Sequence, residues 1–254
     1  MNAFQHIFFK ITKNSHYKTD QNGIINRYFV EKNNWKEHLD NSKQYILNFI
    51  SDCVDKNIAI LGSGWLLDVP VNEILCKNNK LYLFDINHPK QLVKKYGNEK
   101  NIEFVKADLT NNLVDALTYA KKFNEFAEIV TNVIPLNFNK YDFVISLNLL
   151  NQLDILLCDL LKKKFNITDT ALIDIRQTIQ QKHLFALPKG KSCIITDYSE
   201  INYRQSISDG KVNQLIYTPL DNLKNKKEWF WNFDTKRTYK QGFKTMFKVV
   251  AGEV

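Results

Sequence analysis

The sequence lacks the features that mark a membrane protein, a secreted protein or a structural metal site. No apolar run approaches the roughly 20 residues of a membrane-spanning helix, and the stretch after Met1 lacks the basic start and apolar core of a signal peptide. No C-x-x-C pair occurs among the four cysteines, which are Cys53, Cys76, Cys158 and Cys193. All four lie among apolar residues, so we expect buried free thiols and no metal site. The expected compartment is the cytoplasm.

The overall composition is that of a globular protein. The chain has 254 residues, of which 44% are hydrophobic and 24% are charged, enough for one large domain or one domain with an added cap. A net charge of +8 would favour nucleic acid. However, the lysines are spread out, with small clusters only at 162–164 and 224–227. Nucleic acid is therefore not the favoured partner, and the sequence indicates no oligomeric state.

Short apolar runs alternate with helical patterns from residue 57 onwards. The predicted strands are 57–61, 81–85, 102–106, 142–147 and 192–197. The predicted helices between them lie near 68–77, 89–96, 112–130, 150–163 and 169–187. Three further strands are predicted at 213–217, 228–233 and 243–250, without long helices between them. This order favours an α/β fold with a doubly wound, mostly parallel sheet and an antiparallel edge.

The N-terminal part, 1–56, has a different pattern from the rest. Apolar residues recur at helical spacing from Trp35 to Cys53 and predict an amphipathic helix over 31–53. A separate helix is predicted near 2–12, with a turn at Asn22-Gly23. We expect residues 1–56 to form a helical cap or lid on a domain of residues 57–254. The lid candidates are aromatic: Phe4, Phe8, Phe9, Tyr17, Tyr28 and Phe29. His38 lies beside the apolar stripe and is expected to be a helix-surface or packing residue, with a ligand contact as the alternative.

A glycine turn, Gly62-Ser63-Gly64, follows the first predicted strand of the sheet. Glycine allows a sharp turn and the close approach of a ligand, and the start of the next helix offers free N–H groups. Trp65 would crowd a pyrophosphate, and Asp68 would repel one. The turn therefore favours a ligand with an amino-acid tail over NAD or FAD. The alternative is an ordinary tight connection between a strand and a helix.

Two aspartates end the next two predicted strands. Asp85 could accept hydrogen bonds from both hydroxyls of a ribose. Asp108 could accept from the amine of adenine, while the N–H of Leu109 donates to a ring nitrogen. The alternative for each aspartate is a cap for the helix that follows it.

These motifs together resemble the class I S-adenosylmethionine-dependent methyltransferases. The resemblance covers residues 57–151, with a glycine motif at 57–68, an acidic motif at 81–87, a third at 104–109 and a fourth at 141–148. It implies a seven-stranded sheet with an antiparallel last strand and S-adenosyl-L-methionine bound across the ends of strands one to four. The residues implied to bind this cofactor are Gly62, Ser63, Gly64, Asp85, Ile86, Asp108, Leu109, Ser146 and Asn148.

The sequence departs from the family pattern at two positions of the glycine motif. Ile60 stands where the family often has an acid, and Leu66 replaces the third glycine. Asp68 is the candidate to take over the role of the missing acid.

The expected function is methyl transfer to a small molecule. The stretch after strand four, 146–152, is not the Asp/Asn-Pro-Pro-aromatic loop that holds base amines, so base methylation is disfavoured. Methyl transfer mainly requires alignment of the nucleophile, so no catalytic residue is assigned. His183 is expected to be a surface or packing residue, with a role as a base as the alternative. The candidates for an aromatic wall over the substrate are Trp229, Phe230, Trp231 and Tyr239, with core packing as the alternative. The alternative functions are a non-catalytic nucleoside-binding or interaction protein, an RNA methyltransferase and an NAD-dependent oxidoreductase.

Overall fold

Five parallel strands form the centre of the structure. The computed structural model of the chain describes residues 3–51 and 53–254, with side chains described at position 17, over 19–51 and over 53–254. The strands are β1 (Asn57–Leu61), β2 (Lys80–Asp85), β3 (Ile102–Lys106), β4 (Phe143–Leu147), β5 (Ser192–Tyr203), β6 (Lys211–Gln214), β7 (Lys224–Asp234) and β8 (Lys244–Glu253). The helices are α1 (Ala3–Ile50), α2 (Val71–Leu75), α3 (Lys90–Tyr96), α4 (Leu113–Tyr119), α5 (Phe123–Asn132), α6 (Ile155–Phe165) and α7 (Ile173–Ala186).

The strand order is β3-β2-β1-β4-β5-β8-β7, with β1 to β5 parallel and β8 antiparallel to β5. The predicted mostly parallel sheet with an antiparallel last strand is confirmed. An eighth strand, β6, pairs only with the outer end of β5. The predicted fifth strand ends at Asp197, whereas β5 continues to Tyr203, and this extension pairs with β6.

Both faces of the sheet are buried, because side chains alternate in direction along each strand. In β1, Ile58 and Ile60 face the core beneath α1 and α2, whereas Ala59 and Leu61 face the core beneath α4 to α7. Such strands appear in the sequence as continuous apolar runs, which is why β1 was predicted with its observed bounds.

The long helix α1 differs from the prediction for residues 1–56. The predicted turn at Asn22-Gly23 is wrong, since α1 runs unbroken through both residues. Glycine costs about 1 kcal/mol inside a helix, and contacts on either side of it, described below, hold this part of α1 in place. With 48 residues, α1 is about 70 Å long. The side chains of Phe4, Phe8 and Phe9 lie outside the described residues.

Two further predictions are corrected. The single helix predicted over 112–130 is two helices, α4 and α5, separated at 120–122 where Ala120 and Lys122 have extended backbones. All four cysteines are free thiols, but only Cys158 and Cys193 are buried, and Cys76 is exposed at the end of α2. None of the helices in the described ranges combines the length and apolar character needed to traverse a bilayer.

Candidate functional site

The carboxyl ends of the parallel strands form one edge of the sheet. In open α/β sheets a ligand binds at this edge, where the strand order reverses. Here that point lies at β1, because β2 and β4 flank it on opposite sides. The predicted site residues all follow or end β1, β2, β3 and β4. The topology therefore brings the predicted residues to one edge.

The glycine turn after β1 is packed tightly against β4. Gly62 and Gly64 have φ angles of +80° and +46°, a backbone region that residues other than glycine rarely adopt. A Cβ on Gly62 would lie 2.8 Å from the carbonyl oxygen of Leu147. Leu66, at the position of the missing third glycine, also has a positive φ of 56°. The turn thus keeps a glycine-like backbone at Leu66 without the glycine.

Asp85 holds this turn in place. Its Oδ2 accepts a hydrogen bond from the N–H of Gly64 at 2.9 Å, and its Oδ1 accepts from the N–H of Asn87 at 3.2 Å. Burial raises the pKa of the Asp85 carboxyl, and these backbone donors oppose that rise. A carboxylate has about four acceptor positions, so two N–H donors leave acceptor capacity. Its contact with a ribose stays a prediction, as does that of Ile86.

Asp108 makes the local contacts of a cap. Its Oδ1 accepts from the N–H of Thr110 at 3.0 Å and from the hydroxyl of Thr110 at 2.6 Å. Leu109 is partly buried against the core beneath α4 to α7. A cavity of about 20 Å³ lies beside Leu109 and is also lined by Leu136, Phe138 and His183. That is room for about one water molecule, and adenine contacts of Asp108 and Leu109 remain predictions.

Helix α1 crosses over the strand ends. The backbone carbonyl oxygen of Gln21 accepts a hydrogen bond from Trp65 Nε1 at 2.7 Å. The side-chain amide of Gln21 donates to the backbone carbonyl oxygen of Asn87 and accepts from Asn87 Nδ2. Burial raises the pKa of the Tyr17 hydroxyl above its ordinary value, as do the charges of Asp108 and other nearby acids. Sequence reasoning did not find Gln21. A signal was the Trp65 indole, whose N–H needs an acceptor when it is covered.

Ser146 lies in β4 and Asn148 directly follows this strand. Their side chains have different surroundings. Ser146 is buried, and its hydroxyl lies 2.8 Å from His183 Nε2 within the core. Burial lowers the pKa of His183 to about 4, so the imidazole is neutral at pH 7. The burial of His183 and its contact with Ser146 agree with the packing role expected for it. Whether Ser146 contacts the cofactor stays a prediction.

Asn148 faces Asp68 at the edge of the sheet. It has a φ angle of +46°, and its Nδ2 donates to Asp68 Oδ2 at 2.7 Å. Burial raises the pKa of Asp68 to about 6. Asn148 Oδ1 is buried and has no hydrogen-bond partner among the described residues. This pair leaves an unused acceptor beside the glycine turn.

A second pair, which the sequence analysis did not single out, lies beside the first. Asn151 Nδ2 donates to Asp197 Oδ2 at 2.8 Å. Burial raises the pKa of Asp197 to about 7, and the charges of Glu200 and Asp68 contribute to the rise. Within the described ranges, Asn151 Oδ1 and Asp197 Oδ1 also lack partners. Asp197 was detectable by the reasoning applied to Asp85 and Asp108, since it ends the predicted fifth strand.

The aromatic residues of β7 do not form a wall over this edge. Trp231 is buried and stacks on His38 with ring centres 3.9 Å apart, and Trp229 Nε1 donates to His38 Nδ1 at 3.1 Å. These tryptophans therefore join β7 to α1, and the expected packing role of His38 is observed. Tyr239 lies nearer the edge, where burial and the charges of Glu200 and Asp197 raise its pKa to about 12.

Comparisons with known proteins give low-similarity matches to solved structures. No family model matches the chain, and no curated protein sequence matches it. A SAM-dependent methyltransferase from Aquifex aeolicus is 15% identical with a TM-score of 0.34, and the match covers 61% of this chain and 63% of that protein.

Two further matches, both to methyltransferases, extend over most of the chain. The N-methyltransferase NodS from Bradyrhizobium japonicum WM9, solved with S-adenosylhomocysteine, is 8% identical with a TM-score of 0.39, covering 84% of this chain and 86% of NodS. The 1,6-didemethyltoxoflavin-N1-methyltransferase of Burkholderia thailandensis is 11% identical with a TM-score of 0.39, covering 95% of this chain and 90% of that one.

Proposed function

We propose that the chain is an S-adenosylmethionine-dependent methyltransferase that acts on a small molecule, with residues 1–56 as a cap over the site. The observation that supports this most is the bond between Gly64 N–H and Asp85 Oδ2. It joins the turn after β1 to the acid that ends β2, with Asp108 at the end of the next strand. A nucleoside with an amino-acid tail would lie along these three strand ends.

The residues at the edge fit that cofactor. Gly62 and Gly64 allow close approach of the tail, and the free acceptor positions of Asp85 suit the ribose hydroxyls. Asn148 Oδ1, buried and without a partner among the described residues, suits an ammonium or amine donor. The sulfonium of the cofactor would supply an activated methyl group.

The role of the chain in this reaction is alignment. The methyl acceptor must approach in line with the methyl group, and water must be kept away from both. Helix α1, joined to the edge through Gln21 and to β7 through His38, is the proposed cover. The side chains of residues 17 and 21 would lie above the nucleoside.

A second candidate is a non-catalytic nucleoside-binding protein on the same fold. It is favoured by the position of α1, since Gln21 already contacts both Trp65 and Asn87 over the predicted site. Incubation with radiolabelled S-adenosylmethionine and a mixture of small-molecule acceptors separates the two. Labelled product supports the enzyme, whereas tight nucleoside binding without any product supports the second candidate.

Calorimetric titration with S-adenosylmethionine, S-adenosylhomocysteine and NAD tests the proposal. We expect both sulfur nucleosides to bind and NAD not to bind. Asp85→Asn should weaken binding about 10-fold, because the charged acceptor for the ribose hydroxyls is lost. Glu103→Gln is the matched control, since Glu103 is an exposed acid near the amino end of β3 that pairs with Lys80. Absence of binding up to millimolar concentrations of either sulfur nucleoside would refute the proposal.

An oxidoreductase and an RNA-binding enzyme would give different binding results. Binding of NAD in preference to the sulfur nucleosides would indicate an oxidoreductase. Binding of a short RNA that weakens steeply between about 50 and 200 mM salt would indicate an RNA partner, in line with the net charge of +8.

A further inference from the structure

Two carboxylate–amide pairs lie side by side after the ends of β1 and β4, next to the middle of β5. Asp68 pairs with Asn148, and Asp197 pairs with Asn151. The N–H of Asn148 also donates to the carbonyl oxygen of Ile195 at 2.8 Å, which holds the end of β4 against β5. Asp68 is close enough to Asp197 for its negative charge to raise the pKa of the Asp197 carboxyl. The two pairs therefore form one acidic edge, here termed the double-pair site (Asp68, Asn148, Asn151 and Asp197).

The double-pair site has more acceptors than donors. Each asparagine donates its Nδ2 to an aspartate, so both amide oxygens remain. Asn148 Oδ1, Asn151 Oδ1 and Asp197 Oδ1 are buried and lack partners among the described residues. Asn151 and Asp197 are only 7% and 4% exposed. Buried acceptors are almost always satisfied in proteins, so these three oxygens indicate a missing donor.

The charges around the site indicate which chemical group could be the missing donor. Neither Asp68 nor Asp197 has an ion-pair partner within the described ranges. Nearby Glu200 is already paired with Lys240. The charge of Lys43 reaches Asp68, but no positive group in the described part of the chain is among the causes that act on the pKa of Asp197. A phosphate or carboxylate beside Asp197 would be repelled by its carboxylate. A hydroxyl offers one donor, whereas an ammonium offers three donors and a positive charge.

The backbone of β5 is irregular at this point. The register between β5 and β8 shifts between Asp197 and Ser199. Such bulges re-aim side chains and are frequent beside active sites. Asp197, in the middle of β5, lies directly before this shift and is buried.

We propose that the double-pair site binds the amino group of the substrate, so that the methyl acceptor is an amine nitrogen. The assignment of the amine as methyl acceptor rests on the proposed function, whereas amine binding does not. The ammonium donates to Asn148 Oδ1, Asn151 Oδ1 and Asp197 Oδ1. Asp197 takes one proton from it, which exposes the nitrogen lone pair. The lone pair then forms the N–C bond while the methyl–sulfur bond breaks, its electron pair staying on sulfur, and the methylated nitrogen carries the positive charge.

Titration of the full-length protein saturated with S-adenosylhomocysteine tests this. The probes are methylammonium and benzylammonium chlorides, each compared with the alcohol of the same carbon skeleton. We expect each amine to bind at least about 10-fold more tightly than its alcohol, since charge and two further donors are lost. Asp197→Asn and Asn151→Leu should each reduce this preference to about 2-fold or less. Glu103→Gln, remote from the site, should leave it unchanged.

The outcomes separate the inference from the proposed function. Equal affinity for amines and alcohols overturns the inference, and so does a preference that survives both variants. Mg²⁺ or Ca²⁺ binding that displaces the amines and is lost in Asp197→Asn would overturn it in favour of a metal site. If S-adenosylhomocysteine does not bind but the amine preference is present and Asp197-dependent, the amine site stands and the proposed function falls. Retained folding of each variant is checked by circular dichroism.

Discussion

Trp65 Nε1 donates a hydrogen bond to the backbone carbonyl oxygen of Gln21 at 2.7 Å. The bond joins the glycine turn after β1 to a helix residue 44 positions earlier in the chain. Because the partner is a backbone carbonyl inside α1, the bond fixes the path of the helix next to Gly23. Helix α1 and the glycine turn are therefore held together by a direct hydrogen bond.

Removal of this bond should loosen α1 locally. Trp65→Phe keeps most of the ring area and removes the donor, which is worth about 1 kcal/mol. We expect amide hydrogen exchange of residues 19–26 to become about 5-fold faster, since local opening costs less. The measurement is native-state exchange followed by mass spectrometry.

Trp229→Phe is the matched control for this variant. It removes an equivalent indole donor, which bonds to His38 at 3.1 Å further along the same helix. Exchange should then rise around His38 and not around Gln21. Equal exchange changes in both segments for both variants would show that α1 opens as one unit, contrary to this prediction.

Glu31 joins the middle of α1 to the end of β7. It is almost fully buried, and its Oε1 accepts from the N–H groups of Thr235 at 2.8 Å and Lys236 at 3.0 Å. Glu31→Ala leaves both donors without the carboxylate. We expect a loss of about 3 kcal/mol in the free energy of unfolding, measured by urea denaturation. Glu31→Gln should lose less, because one acceptor oxygen remains.

Glu37→Ala provides the comparison, since Glu37 is an exposed acid on the same helix. Its effect should stay within about 0.5 kcal/mol. A loss for Glu31→Ala no larger than that of Glu37→Ala would mean that the Glu31 contacts do not hold the helix.

Asp197 should reduce stability at neutral pH. Its pKa is raised to about 7 by burial, above the ordinary value near 3.9. The folded state therefore binds the proton more tightly than the unfolded state, and stability increases as the pH falls from about 7 towards 4. Asp197→Asn keeps the size of the side chain and removes the charge. It should be more stable than the parent at pH 8, by at most about 4 kcal/mol, with the gain shrinking at lower pH.

Urea denaturation at pH 8, 6 and 4.5 measures this difference. Asp40→Asn is the control, because Asp40 is an exposed acid on α1 that pairs with Lys36. A pH-independent difference between Asp197→Asn and the parent would contradict the prediction. A confirmed gain would identify Asp197 as a residue that costs stability, as expected of a binding site.

The sequence specifies the sheet better than it specifies the cap and the site. Strands such as β1 are buried on both faces, so their apolar runs are visible without any tertiary information. The turn at Gly23 was predicted from local propensity, but long-range bonds from Gln21 to Trp65 and Asn87 hold α1 straight. Local sequence does not contain such contacts.

The same distinction applies within the site. Position at a strand end identifies Asp85 and Asp108, because parallel strands end at a common edge. The hydrogen bonds of each carboxylate depend on neighbours such as Gly64 for Asp85 and Thr110 for Asp108. These neighbours also determine whether a carboxylate oxygen still has a free acceptor position for a ligand. The pairing of Asn151 with Asp197 joins residues 46 positions apart, so spacing alone could not reveal it.

His38 should make the protein sensitive to acid. Burial lowers its pKa to about 3, below its ordinary value near 6.5. The unfolded state then binds more protons than the folded state, so stability is lost as the pH falls from about 6.5 towards 3.

His38→Phe keeps an aromatic ring to stack on Trp231 and cannot be protonated. Between pH 8 and pH 5 the variant should lose about 2 kcal/mol less stability than the parent. At pH 8 it should be slightly less stable, since Trp229 Nε1 loses its acceptor. Urea denaturation at both pH values measures the two effects separately. The same loss in both proteins would show that His38 is protonated at its ordinary pKa in the folded state, and that the α1–β7 contact is open to water.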